Sequence, residues 1–179
     1  MVETLLHELE RGTPEAWGFL ILVAAIIYFL LQIFESGETQ WTINPSVSNK
    51  KFVEYCTDWI LSQYKITGSY RRPCISISYK RKNLGKIMGH FNPLTRTVTL
   101  YWRHPSHENN IRELLNTLIH EIRHSLDLRS MQSNKLYNSQ TEQKGYFNNE
   151  YEVVARKDAD ALQDELFDWA VSKHLICKK

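Results

Sequence analysis

The sequence predicts an α+β domain, a small mixed sheet packed on two amphipathic helices, preceded by one membrane-spanning helix. Three observations predict it. Residues 111–126 and about 148–173 carry apolar side chains at helical spacing. Residues 75–79 and 97–102 are short segments with β-branched and aromatic residues. Residues 17–34 form one apolar run ahead of all of these.

In chain order, residues 1–16 are a short acidic tail, with Glu3, Glu8, Glu10 and Glu15 against Arg11. The run 17–34 has only Gly18 and Gln32 outside the strongly apolar or aromatic set. Its length is near the minimum of about 17–20 residues that crosses a bilayer, and it shows no polar face. A cleaved signal fits poorly after an acidic segment and with no small-residue cleavage site. The expectation is a single-pass membrane protein. Lys50 and Lys51 are the basic residues close to the span, so the following domain is expected in the cytoplasm. Three cysteines, Cys56, Cys74 and Cys177, without metal-type spacing agree with a reducing compartment.

Residues 35–49 read as a polar linker containing Pro45, and residues 50–179 as one domain with one core. A helix is expected over 50–64, with Phe52, Val53, Cys56, Trp59 and Ile60 inward. Residues 75–79 alternate as a half-buried strand. Residues 85–102 read as a hairpin turning at Asn92 and Pro93. Beyond the acidic first forty residues the chain keeps 21 basic and 14 acidic residues, about +7. Six basic and no acidic residues fall within 71–86. That stretch reads as a solvated basic hairpin; its aromatics are too few to stack bases, so no specific nucleic acid is expected. Residues 130–147 read as a long polar connection, of the kind that serves as a lid or binding loop.

The chemistry lies in His120-Glu121-Ile122-Arg123-His124, an H-E-x-x-H sequence inside the first long helix. Ser106 or Asn109 can cap that helix. Its stripe of Ile111, Leu114, Leu115, Leu118, Ile119, Ile122 and Leu126 lies nearly opposite the histidines. Histidines four apart on a helix project from one face and can share a metal ion. Glu121 then stands beside a metal-activated water as general base. A third ligand is needed. Asp127 is seven residues, about 10 Å, along the axis from His120, too far for one ion. Glu150 and Glu152 open the second long helix, whose inward stripe is Ala155, Ala159, Leu162, Leu166, Trp169 and Ala170. Glu152 falls on the edge of this stripe and Glu150 on the opposite side. An inward carboxylate needs a partner, and a metal ion is one; an arginine or exposure at the first turn is the other outcome.

This order resembles the gluzincin metallopeptidases: HExxH on one helix, then glutamate on a following helix. Glu152-Val153-Val154-Ala155 is similar to their Glu-x-x-Ala pattern. Arg156 stands where the CAAX-protease and heat-shock-protease group often has aspartate. The resemblance covers residues 86–170 and implies a compact, minigluzincin-like, zincin-like fold. It implies one zinc ion per chain held by His120, His124 and Glu152, with Glu121 as general base and proton shuttle. It implies a protein or peptide substrate, lying in extended form along the strand before the active-site helix. Tyr137, Tyr146, His90 or His107 could assist the oxyanion. The membrane would be engaged through residues 17–34. The alternative is a catalytically silent, or single-substrate regulatory, zincin-fold binding module tethered to the membrane.

Overall fold

The structure, a computed structural model, describes residues 17–18, 21–28, 40–66, 72–79, 87–108, 110–128 and 130–179. The chain divides at Thr39/Gln40 into two units. In the first, the described residues 17–18 and 21–28 are helical. The expected membrane-spanning helix over residues 17–34 is corrected here. Among the described residues, no helix is long and apolar enough to cross a membrane. Eight successive helical residues rise about 12 Å, against about 30 Å of bilayer hydrocarbon. The rest of that run lies outside the described residues. The single-pass placement and the cytoplasmic assignment that depended on it are withdrawn.

The second unit is a mixed α+β structure. Its described elements are β1 (Trp41–Ile43), α1 (Asn49–Gln63), β2 (Cys74–Ser78), β3 (Gly89–Asn92), β4 (Thr97–Tyr101), α2 (Ile111–Asp127), α3 (Met131–Lys144), a 3-10 turn (Tyr146–Asn148), α4 (Glu150–Ser172) and β5 (Ile176–Lys178). The single expected sheet becomes two. β1 and β5 pair antiparallel, with Trp41 opposite Lys178 and Ile43 opposite Ile176. β2, β4 and β3 form the other sheet in that order, β2 parallel and β3 antiparallel to β4. The strand just before the HExxH helix is thus central, and β2 and β3 are the edges. Local sequence marked all three as strands but could not say which one had a second neighbour.

Each helix begins at a side-chain cap. Ser48 accepts from the Lys51 amide and Asn149 from the Tyr151 amide. α2 is capped by Asn110, which accepts from the Glu113 amide. Neither expected cap serves: Ser106 lies in the preceding turn, and Asn109 is outside the described residues. The hairpin turn is held by Asn92 Oδ1, which accepts from the Leu94 and Thr95 amides at 3.0 and 3.2 Å. α3 replaces the expected polar loop. Ser130 and Ser133 cap it reciprocally, yet it buries no residue, so no apolar period announced it.

The core lies where α1, α2 and α4 meet. Phe52, Val53, Cys56 and Ile60 of α1 face Leu115, Leu118, Ile119 and Ile122 of α2, with Ala159, Leu166 and Ala170 of α4. All are essentially inaccessible. Burial pushes the Cys56 thiol well above its ordinary range, as for an inert core cysteine. A clamp of charges ties the three helices together at their ends. Arg123 pairs with Asp127 at 2.8 Å and Asp158 at 3.2 Å, and Tyr64 donates to Asp158 at 2.8 Å. Asp127 is thereby engaged away from the histidines.

His107 pins β4 to α2. Its buried ring bonds the Tyr101 carbonyl through Nδ1 at 2.9 Å, and Nε2 lies 3.0 Å from Thr117 Oγ1. A carbonyl only accepts, so Nδ1 carries the proton and Nε2 accepts from the hydroxyl. Burial lowers the pKa of His107, against the Tyr101 bond that raises it. Its stabilising effect is full above the unfolded value near 6.5 and is lost as pH falls through the lowered folded value. Denaturant unfolding should show wild type losing up to about 1.4 kcal/mol per pH unit there, beyond the loss in His107→Gln. Equal pH dependence in the two proteins would contradict this.

Candidate metal centre

Two helices bring three donors together. α2 presents His120 and His124 one turn apart, and α4 presents Glu152 from its first turn. His120 Nε2 and His124 Nε2 are 3.0 Å apart. Glu152 Oε1 is 3.1 Å from His124 Nε2, and Oε2 is 3.4 Å from His120 Nε2. This group can hold a metal ion, its donor atoms all lying within 4.8 Å of one another. Glu150, the other candidate, points away: it is exposed and bonded to Lys144 and Gln140 at 2.7 and 3.1 Å.

Glu152 is only 1% exposed, although it is charged. Burial alone would raise its pKa. The neighbouring His120 and His124 rings and the Tyr137 hydroxyl outweigh that effect and hold the carboxyl well below its usual range. It therefore remains an anion at neutral pH. Even so, Glu152 Oε2 and His124 Nδ1 lack a hydrogen bond. Oε2 has only ion-pair neighbours, His120 and, at 3.8 Å, Arg156. A buried carboxylate oxygen without a hydrogen-bond donor, facing two converging imidazole nitrogens, is a donor set suited to a cation.

α3 covers this centre. Tyr137 donates to Glu152 Oε1 at 2.7 Å, and its ring lies 6.0 Å from that of His124. Burial, and then Glu152, raise the Tyr137 pKa, so it remains a donor. Tyr146 lies near Glu152, and burial, then Glu152, raise its pKa. Asn149 ties α3 to the start of α4 through the Tyr137 carbonyl and Thr141 Oγ1, at 2.9 and 2.7 Å. Of the four expected oxyanion donors, Tyr137 and Tyr146 are at the site. His107 is locked between β4 and α2, and His90 contacts Tyr101 at 3.2 Å.

Glu121 is 7% exposed and sits between the cluster and β3. Burial raises its pKa, and His120 and His124 partly offset this. The Phe91 main chain beside its carboxyl also acts to lower it. Strand parity explains that approach. Tyr101 N–H donates to the Met88 carbonyl, so Met88, His90 and Asn92 turn their main-chain groups toward β4. Gly89 and Phe91 turn theirs outward, toward the edge. A cavity of about 510 Å³ opens here, lined by Gly89, His120, Glu121 and Tyr146 among others. Another, about 430 Å³, lies between β1 and the start of α2 and shares none of these residues.

Sequence reasoning passed over Gly89. An added Cβ would stand 2.9 Å from Thr117 Cγ2, 3.0 Å from Glu121 Cγ and 3.2 Å from the Thr99 carbonyl. Only glycine lets β3 approach α2 this closely. The available signal was an isolated glycine in a strand pattern, which marks close backbone approach. No family model matches the chain, and no curated protein or solved structure matches it.

The close approach yields a stability test. Gly89→Ala should destabilise the fold by about 1–3 kcal/mol through overpacking. Thr117→Ser removes the nearest methyl while keeping the hydroxyl for His107. Gly89→Ala should therefore cost measurably less in a Thr117→Ser background, by denaturant unfolding. Strict additivity of the two changes would count against the contact.

Proposed function

We propose that this chain is a zinc-dependent hydrolase of peptide bonds, with a metal centre similar to that of the gluzincin peptidases. The observation that carries the reading is the spacing of the three donors beside a buried glutamate. Ligands about 2.05 Å from a tetrahedral zinc stand about 3.3 Å apart. The two imidazole nitrogens here stand 3.0 Å apart, one carboxylate oxygen lies 3.1 Å from His124 and the other 3.4 Å from His120, and one donor atom from each residue falls within 4.8 Å of the others. Two imidazoles and one carboxylate, with a fourth direction left open, is a catalytic rather than a structural zinc set.

Zinc, when bound, supplies Lewis acidity that acidifies a water and polarises a carbonyl. The chain's own groups do the rest. Glu121 takes the proton of the attacking water and returns it to the leaving nitrogen. Burial raises its pKa above the ordinary carboxylate value, the direction that strengthens it as a base. Tyr137 donates to Glu152 and keeps that carboxylate aimed at the histidines. Tyr146, half-exposed and lining the same cavity, is the donor placed for a developing oxyanion. The outward main-chain groups of Gly89 and Phe91 suit an extended peptide added to the β3 edge. This moves the substrate strand from β4, where sequence placed it, to β3.

Metal analysis of the full chain should find one zinc per molecule. His120→Ala, His124→Ala and Glu152→Gln should each weaken zinc by more than the roughly 10–100-fold that losing an outer-sphere partner costs. Glu121→Gln should keep the zinc and lose about 10²–10⁴-fold in peptide hydrolysis. A native protein with no affinity for zinc would end the proposal. Zinc binding with hydrolysis unchanged in Glu121→Gln would refute the role of that residue.

A further inference from the structure

The cavity beside the histidines holds a fixed cation. Its walls are largely apolar, with Ile87, Met88 and Phe147 among them, and Arg156 joins His120 and Glu121 in the lining. Arg156 follows Glu152 by one helical turn, with Nη1 3.8 Å from Oε2. Its Nη2 donates to the Phe147 carbonyl, and its guanidinium carbon lies 5.6 Å from the centre of the Phe147 ring. Helix, carbonyl and ring hold the group at the cavity wall, where its side chain is 37% exposed. These two polar contacts leave donors of the five-donor fork free.

Charge balance indicates what the fork faces. Glu121 and Glu152 contribute two negative charges to the centre. A bound dication would match both, and Arg156 would then stand as uncompensated positive charge beside an apolar cavity. Its single, long contact with Glu152 is not the bidentate pairing that arginine makes with a committed carboxylate partner. Beside apolar walls, an incoming carboxylate gains more from that charge than it would in bulk water.

We propose that Arg156 is a specificity-determining residue that binds a substrate carboxylate within one residue of the cleaved bond. The carboxylate comes from an Asp or Glu side chain or from a free chain end. The inference rests on the peptidase reading above and adds the substrate class.

The test is binding of fluorescein-labelled hexapeptides to the full-chain, zinc-loaded Glu121→Gln protein, measured by anisotropy. The peptides carry Glu or Gln at either central position. Shorter ones end one residue past the centre in a free carboxylate or an amide. The expected result is about 10–100-fold tighter binding of the acid than of its neutral twin in one of these pairs. Which pair discriminates identifies the source of the carboxylate. Arg156→Gln should erase the difference while zinc stoichiometry and affinity stay unchanged, and Arg156→Lys should retain part of it. Equal binding of acid and neutral peptides, no binding of any peptide, or a preference that survives Arg156→Gln would each overturn the proposal. So would an Arg156→Gln variant that loses zinc and keeps the preference, since Arg156 would then serve Glu152 alone. Failure of the hydrolase reading is separately visible. A protein that takes up no zinc, yet discriminates acid from amide through Arg156, keeps the carboxylate site and loses the hydrolase.

Discussion

A fully buried carboxylate cannot stand alone, and Glu152 organises the unit around that constraint. Two imidazoles from α2 face its oxygens, so α4 must cross α2 at its own first turn. Asn149 caps α4 immediately before it, fixing where that turn begins. Tyr137 reaches down from α3 to satisfy one oxygen, which places α3 over the centre. The other oxygen has no hydrogen-bond donor, and it belongs to the group that could hold a metal ion. Replacing Glu152 with an apolar residue would remove the reason for much of this arrangement.

Close contact is the second requirement, and small side chains meet it. Ala155 and Ala159 are fully buried on α4 just beyond Glu152, where larger residues would hold the helices apart. Gly89 does the same for β3 against Thr117 and Glu121. Thr117 in turn meets His107, so the edge strand, the base and the β4–α2 connection share one packed column. The position of Glu121 therefore depends on a residue with no side chain.

Legibility followed burial. α2 could be read because its apolar stripe repeats along most of its length, and the two histidines fell on one face by spacing alone. Glu152 separated from Glu150 on a helical wheel because α4 has an inward side marked by alanines. α3 could not be read, since it is held by polar caps and a tyrosine and has no apolar period. The histidine face was expected opposite the buried stripe, and α4 covers it; a wheel shows which residues face together and not what covers them. The exchange of edge between β4 and β3 has the same origin, because strand order depends on a partner, β2, distant in sequence. The run 17–34 was judged on hydropathy alone, and the described part of it is too short a helix to cross a membrane.

α3 has a further consequence. It buries no residue and is fastened through Tyr137, through Asn149 to Thr141 and the Tyr137 carbonyl, and through Gln140 and Lys144 to Glu150. Hydrogen bonds of this kind are worth about 0.5–1.5 kcal/mol each, and the exposed ion pair little more. The segment is therefore the least packed of the four helices and the first expected to open locally. An ion held beneath it would exchange through that opening, at a rate set by a handful of surface polar residues and not by the packing of the core.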